Sequence, residues 1–201
     1  MNWFLRSAAY LFHPLFMPLL GTITYYLITP RFIEPEFIQA RILAVAIVTL
    51  FIPLITFFLL KNLSIVSSIN LTEVKERKFP LMIQSVLLLL IIKMVFGPFD
   101  SPELYYFFVG ILFSTITALL MVFFRFKISL HQMGIAGVTM FLIALSVHFK
   151  VNALLGIGVF FIINGWVASS RLHTKSHIYP ELIVGFFIGL LPQLILLNFW
   201  L

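Results

Sequence analysis

The stretch S-R-L-H-T-K-S-H-I-Y-P-E, from Ser170 to Glu181, lies between two strongly apolar segments. It contains two cations, two histidines and one carboxylate, although only 10% of the whole chain is charged. Ionisable side chains are costly in a hydrocarbon environment, so a group of them in a membrane protein marks a candidate functional site. The stretch therefore predicts a polar site at a membrane surface, between two membrane-spanning helices.

The composition of the chain is that of a polytopic membrane protein. Of its 201 residues 62% are apolar, and the charged fraction is far below the roughly 25% of an average globular domain. The absence of cysteine excludes disulfide bonds and thiolate metal sites. The net charge of +6 lies mainly in short segments between apolar runs, which favours lipid headgroups or a phosphorylated substrate as partners rather than nucleic acid.

Apolar runs long enough to cross a bilayer recur along the chain. They occupy about residues 10–29, 38–60, 80–96, 103–124, 130–148, 151–169 and 180–201. The predicted fold class is all-α, a polytopic bundle of about seven transmembrane helices, with six as the alternative, in one integral-membrane domain over residues 1–201. The first run is predicted to be a retained helix rather than a signal peptide because it is long enough to span. Pro53 predicts a kink in the second run.

Seven crossings would place alternate loops on opposite faces of the membrane, and the face that holds the N-terminus is here called face A. Face A then receives the segments 61–79, 125–130 and 170–180. Four of the five histidines fall at or near this face, namely His13, His131, His173 and His177. The clustering predicts one polar site on one membrane face.

Two short motifs resemble signatures of the type 2 phosphatidic acid phosphatase superfamily. The pattern S-R-x5-H-x3-E within Ser170–Glu181 is similar to the family's third signature, S-R-x5-H-x3-D, with glutamate in place of aspartate. The pattern I-S-L-H at 128–131 resembles the second signature, P-S-G-H, and keeps its serine and histidine. Two apolar runs separate the motifs, as the family requires. The resemblance implies a phosphatase-like core at about residues 103–201.

The family's first signature, K-x6-R-P, has no regular counterpart in this chain. The nearest match is K-E-R-K-F-P at 75–80, which holds the cations and the proline at a different spacing. Arg125 and Lys127, just before Ser129, are the other candidate source of this charge. The sequence leaves both sets open as phosphate ligands.

The resemblance implies a membrane phosphohydrolase that removes phosphate from a lipid phosphate or pyrophosphate through a phosphohistidine intermediate. It implies His177 as the nucleophile, Glu181 as the acceptor that orients the other ring nitrogen, and His131 as the general acid. An arginine binds two phosphate oxygens through its planar fork, and a serine at a helix N-cap places free backbone amides beside an anion. The implied phosphate ligands are Arg171, Ser129, Lys127, Arg77 and Lys78. No cofactor is expected for this chemistry.

A catalytically inactive, phosphatase-like membrane protein is the alternative hypothesis. It is favoured by the altered first and second signatures and by the glutamate at position 181. The residues His13, His131, His177 and Glu181 are ligand types suited to zinc. Such a protein would bind a metal ion or act in transport or scaffolding.

The expected location is a bacterial inner membrane, in a multi-pass arrangement that contacts membrane lipids and a lipid phosphate substrate. Two indications of orientation differ. Most loop cations lie on face A, which the positive-inside rule places in the cytoplasm. Bacterial members of the family that the motifs resemble usually present the site to the outer side. The sequence predicts nothing about the oligomeric state.

Overall fold

The computed structural model describes residues 2–67 and 73–201, and every regular element within those ranges is a helix. The α-helices, in chain order, are α1 (Asn2–Leu11), α2 (Met17–Ile28), α3 (Pro35–Ala46), α4 (Ile52–Asn62), α5 (Lys78–Met94), α6 (Pro102–Phe123), α7 (Leu130–Phe149), α8 (Leu154–His173) and α9 (Tyr179–Leu196). Short 3₁₀ turns occupy Pro14–Phe16, Lys75–Arg77 and Leu197–Phe199, and a π-helical segment occupies Ile47–Phe51. The predicted all-α class is confirmed.

Within the described residues, five helical segments are long and apolar enough to cross a membrane. They are Pro35–Asn62, Pro102–Phe123, Leu130–Phe149, Leu154–His173 and Tyr179–Phe199. The pair Trp3–Leu11 and Pro14–Ile28, bent by 42°, forms a sixth if it is one span. Helix α5 has 17 residues and, at about 1.5 Å per residue, falls short of the roughly 30 Å hydrocarbon core. These helices fit a multi-pass membrane protein, but the predicted number of about seven spans is not confirmed.

The first predicted span is not one continuous helix. It breaks between α1 and α2, where His13 has an extended backbone (φ −65°, ψ 139°) ahead of Pro14. A proline ring disfavours the α conformation in the residue before it and supplies no N–H to the preceding turn. His13 instead caps the 3₁₀ turn, because its Nδ1 accepts a hydrogen bond from the Leu15 amide at 3.4 Å. The chain thus forms an elbow with a histidine at its corner.

Pro53 alters the hydrogen bonding of the helical turn that precedes it. The segment Ile47–Phe51 is π-helical, and Pro53 lies in the first turn of α4. A proline cannot donate to the carbonyl four residues earlier, so the helix widens where that hydrogen bond is missing. Where the sequence predicted a kink at Pro53, the structure has a π-helical turn inside the continuous Pro35–Asn62 span.

Helix α7 lies at the centre of the bundle. Some 67% of its membrane-length window is buried, against 11–39% for the other four candidate spans. Helix α9 packs on it at backbone distance, since a Cβ atom added to Gly189 would lie 2.0 Å from the Met133 carbonyl oxygen. One added to Gly185 would lie 2.7 Å from the Ser129 carbonyl oxygen. This close packing brings the beginning of α7 beside the beginning of α9.

The polar stretch from Ser170 to Glu181 is helical at both of its ends. Helix α8 continues to His173, and α9 begins at Tyr179. The prediction that the whole segment 170–180 is a loop is therefore wrong for its first residues. Backbone hydrogen bonding continues for a turn beyond the end of the apolar pattern, so Arg171 projects from the last turn of α8.

Candidate functional site

The buried His177 and the partly buried Glu181 form a pair between the end of α8 and the beginning of α9. The Nδ1 atom of His177 lies 2.6 Å from Oε2 of Glu181. Glu181 occupies the first turn of α9, where the helix dipole favours an ionised carboxylate, and its Oε2 also accepts from the Ile178 amide at 3.4 Å. A carboxylate accepts hydrogen bonds only, so the Nδ1 proton of His177 points to Glu181. In the neutral imidazole the lone pair is then on Nε2.

Two buried guanidinium groups lie beside this pair. Arg77 and Arg171 are only 4% and 8% exposed. Arg77 precedes α5 and donates from Nη1 to the Ile128 carbonyl at 2.6 Å. Within the described part of the chain, the Nε atom of Arg171 is buried without a hydrogen-bond partner. Buried cations are stabilised by a paired anion, so this arrangement suits an anionic ligand.

The charges of the site act on one another. The pKa of His177 is lowered to about 3, first by burial and then by the positive charges of Arg77, Arg171 and Lys127. The carboxylate of Glu181 opposes this effect by favouring the charged ring. Burial also lowers the pKa of Arg77 to about 10, and it lowers the pKa of Lys127, which Arg77 repels. His177 is accordingly neutral at pH 7, in a pocket of positive potential.

Ser129 connects the two motifs physically. It is fully buried at the N-cap of α7, and its Oγ accepts from the Gln132 amide at 3.4 Å. Its own amide donates to the backbone carbonyl of Glu181 at 3.1 Å. The predicted N-cap is thus observed, and a backbone hydrogen bond joins residues 128–131 to residues 177–181.

His131 lies in the first turn of α7 and faces the elbow of the N-terminal helices. Its Nε2 is 3.1 Å from the Ala9 carbonyl oxygen, and since a carbonyl only accepts, this nitrogen carries the hydrogen. The rings of His131 and His13 meet edge to face, with centroids 5.2 Å apart. The family resemblance covers the second half of the chain and gives no role to this elbow. The sequence feature that indicates the elbow is a histidine directly before a proline, His13–Pro14.

Both candidate sources of phosphate-binding charge contribute one residue. Arg77 comes from the K-E-R-K-F-P segment and Lys127 from the segment before α7, and both act on His177. Lys78 instead places its Nζ over the ring of Phe123, 5.3 Å from the centroid. Arg125 is exposed, with a left-handed backbone (φ 57°) just after α6. The structure therefore places one cation from each predicted set, Arg77 and Lys127, near His177. Lys78 and Arg125 lie elsewhere.

The four residues of the alternative zinc site are not arranged as metal ligands. Among residues 2–67 and 73–201, no group of three or more His, Asp or Glu side chains is placed to hold a metal ion. Glu181 pairs with His177, and Nε2 of His131 is directed to a backbone carbonyl. The rings of His13 and His131 meet edge to face, so their nitrogens do not converge on one point as two metal ligands would.

No family model, no curated protein and no solved structure matches this chain. The resemblance to the phosphatase family consequently rests on the two motifs alone.

Proposed function

We propose that this protein is a membrane phosphohydrolase that removes phosphate from a lipid phosphate or pyrophosphate through a phosphohistidine intermediate. The observation that supports it best is the pair formed by the buried His177 and Glu181, 2.6 Å apart, beside the guanidinium groups of Arg77 and Arg171. A neutral histidine with one nitrogen held by a carboxylate is suited to nucleophilic attack. The surrounding cations suit the charge of a transferring phosphoryl group.

In the first step, Nε2 of His177 attacks phosphorus, and the bond between phosphorus and the lipid oxygen breaks. Glu181 keeps its hydrogen bond to Nδ1 and stabilises the positive charge that develops on the ring. Arg171 holds two non-bridging phosphate oxygens through its planar fork, while Arg77 and Lys127 add positive potential. The backbone amides at the beginning of α7, capped by Ser129, can bind a third oxygen.

His131, protonated on both ring nitrogens when the anionic phosphate binds, supplies the proton that the lipid oxygen needs in order to leave and becomes a neutral imidazole. Its Nε2 proton is held on the Ala9 carbonyl in the resting arrangement, so the ring turns toward the substrate when phosphate binds. In the second step, water attacks the phosphohistidine and loses a proton to His131. Inorganic phosphate is released, and both histidines return to their starting state.

The membrane arrangement follows from the same proposal. If the α1–α2 pair and the 17-residue α5 each make one crossing, Arg77, His131 and His177 lie on face A. The phosphate headgroup would enter there while the hydrocarbon chain stays among the helices. We place the protein in a bacterial inner membrane, in a multi-pass arrangement.

The proposal is tested by phosphate release from purified protein in lipid vesicles. Phosphatidic acid, phosphatidylglycerol phosphate and a prenyl pyrophosphate serve as substrates. The variant His177→Ala is expected to lose about 10³-fold or more in kcat, since removal of a nucleophile leaves only residual catalysis. His173→Ala is the matched control, because His173 is exposed in the last turn of α8 and makes no contact with the pair.

Labelled phosphate should also be trapped on the wild-type protein as an acid-labile, base-stable adduct that His177→Ala lacks. Absence of phosphate release from every substrate, or full activity in His177→Ala, would disprove the proposal.

A further inference from the structure

An open apolar groove lies between α8 and α9, next to the proposed site. Its volume is about 270 Å³, and its walls include Leu172 of α8 and Leu182, Ile183 and Phe186 of α9. Leu172 follows Arg171 directly, and the groove also reaches Tyr179, two residues after His177. The groove is therefore lined by residues that adjoin the proposed site in the chain.

One polar side chain, that of Gln132, contributes to the lining of this groove. Gln132 is 4% exposed, and its Nε2 donates to Oδ1 of Asn164 at 2.9 Å. Its Oε1 is buried and has no hydrogen-bond partner within the described part of the chain. A buried acceptor without a donor is destabilising, and native proteins rarely leave one without a ligand or water.

The neighbouring hydrogen bonds fix which atom of Gln132 is the unpaired one. The Nδ2 of Asn164 donates to Thr139 Oγ1 at 2.7 Å and to the Phe160 carbonyl at 2.8 Å. The Thr139 hydroxyl donates in turn to the Ile135 carbonyl at 2.7 Å, so it can only accept from Asn164. Asn164 must then present its oxygen to Gln132, and Gln132 must present its nitrogen. The unpaired atom is consequently an acceptor that requires a donor.

We infer that the groove binds the hydrocarbon chain of a single-chain lipid phosphate, and that Gln132 Oε1 accepts a hydrogen bond from a hydroxyl group of that lipid. This inference rests on the proposed function and specifies its substrate class. The groove is slightly smaller than the range of about 300–1,000 Å³ typical of ligand pockets, which favours one chain over two. Lysophosphatidate has the required features, a phosphate, a nearby free hydroxyl and one acyl chain.

The spacing along α7 agrees with a hydroxyl close to the phosphate. Gln132 follows Ser129 by three residues, which places it about 4.5 Å further into the membrane at 1.5 Å per residue. Ser129 caps the helix end at which the phosphate is proposed to bind. A lipid whose phosphate meets Ser129 would therefore carry its hydroxyl to the depth of Gln132.

The test compares two lipids that differ only in that hydroxyl group. Oleoyl-lysophosphatidate and its 2-deoxy analogue are supplied to the wild-type protein and to Gln132→Met, which keeps the side-chain length and removes the acceptor. The wild type is expected to prefer the hydroxyl lipid in kcat/KM by roughly ten-fold or more, because the analogue leaves the buried acceptor unpaired. In Gln132→Met the preference should shrink to about two-fold or less.

Two further variants separate recognition from folding. Thr139→Val disturbs the same hydrogen-bond chain outside the groove and should keep the preference. If Gln132→Met fails to fold, Gln132→Asn takes its place, because it keeps a polar amide but withdraws the acceptor by one methylene, and it should lose most of the preference. Equal turnover of the two lipids by wild type, or an unchanged preference in Gln132→Met, overturns the inference and leaves the phosphatase proposal intact.

A failure of the proposed function itself is recognised separately. If none of the lipids releases phosphate, the same two lipids are compared by equilibrium binding to the wild-type protein. Tighter binding of the hydroxyl lipid that depends on Gln132 supports the groove assignment without turnover. Equal binding of both lipids overturns it.

Discussion

Glu181 stands where the phosphatase family has aspartate, and its longer side chain still reaches His177. The side chain returns over the first turn of α9, so one oxygen meets both Nδ1 of His177 and the Ile178 amide. A spacing of four residues suffices for this because both residues adjoin the same helix start. At the residue scale, a glutamate at this position makes the orienting hydrogen bond that the proposed nucleophile requires.

The burial of His177 predicts a specific dependence of stability on pH. Its pKa is lowered to about 3 in the folded protein, against an ordinary value of 6.5, mainly by burial. The unfolded chain therefore binds this proton first as the pH falls. The contribution of His177 to stability is complete above about pH 6.5 and is lost as the pH falls toward 3. Between pH 7 and pH 4.5, the Tm of wild type should fall more than that of His177→Asn.

This comparison is made by thermal unfolding in one detergent, with His173→Asn as the exposed control that should behave like wild type. An equal decrease of Tm in wild type and His177→Asn would contradict the predicted shift. A wild-type Tm that rises at low pH would show that the attraction of Glu181 outweighs burial.

At the scale of elements, the site depends on how closely α7 and α9 approach each other. Gly185 and Gly189 lie against the backbone of α7, and the amide of Ser129 bonds the carbonyl of Glu181 across this contact. Close approach of helices through small residues is the usual mode of packing within membranes. The two motifs meet because these glycines have no side chain to hold the helices apart. Neither glycine belongs to a motif, so the motifs alone did not predict the contact.

We expect Gly189→Ala to damage both stability and activity. The added Cβ would lie 2.0 Å from the Met133 carbonyl oxygen, a backbone atom that cannot move without shifting α7. Overpacking of this kind costs about 1–3 kcal/mol in the free energy of unfolding. Separation of the helix starts should also lower kcat. Thermal unfolding and phosphate release measure the two effects.

Gly158→Ala is the matched control, because a Cβ added there meets nothing within 4 Å. Its stability should be unchanged or slightly higher, since alanine favours a helix by up to about 1 kcal/mol relative to glycine. Equal behaviour of the two variants would show that the α7–α9 contact is not tight.

At the scale of the whole molecule, α7 has a polar cluster at each end. His131 begins the helix at the proposed site, and His148 ends it beside a second cluster. There, the fully buried carboxylate of Glu103 meets Arg31 Nη2 at 2.8 Å and His148 Nε2 at 3.1 Å. Arg31 follows α2, Glu103 begins α6 and His148 belongs to α7. This second cluster therefore ties the N-terminal helices to the central bundle, away from the proposed chemistry.

Glu103→Leu is expected to destabilise the protein by about 2 kcal/mol without loss of kcat in the molecules that remain folded. Removal of a buried partner leaves a cation and an imidazole in apolar surroundings, and the cost is moderated because Arg31 is 46% exposed. Thermal unfolding measures the loss of stability, and the kcat of the folded fraction measures activity.

Asp100→Asn is the control, because the carboxylate of the Arg41–Asp100 pair is exposed. This variant should change the free energy of unfolding by at most about 0.5 kcal/mol. A loss of kcat in Glu103→Leu at full folding would contradict this separation of roles.

The sequence by itself determined the features that depend on local pattern. Apolar runs of about 20 residues indicated the helices, because a bilayer selects for length and hydropathy. The motif that contains His177 and Glu181, and the serine before α7, likewise pointed to contacts that are made within one turn. The proline at position 14 was visible too, although its effect, a broken helix with a histidine at the corner, was not predicted.

Only the tertiary structure decided which distant residues share the site. The elbow at His13 lies against His131, Arg77 joins Lys127 in place of Lys78, and Gln132 is left with an unpaired acceptor beside a groove. These contacts join residues up to 122 positions apart, as in the bond from His131 to Ala9. They depend on how helices pack, and packing depends on surface shape and close backbone approach, which leave no periodic signal in the sequence.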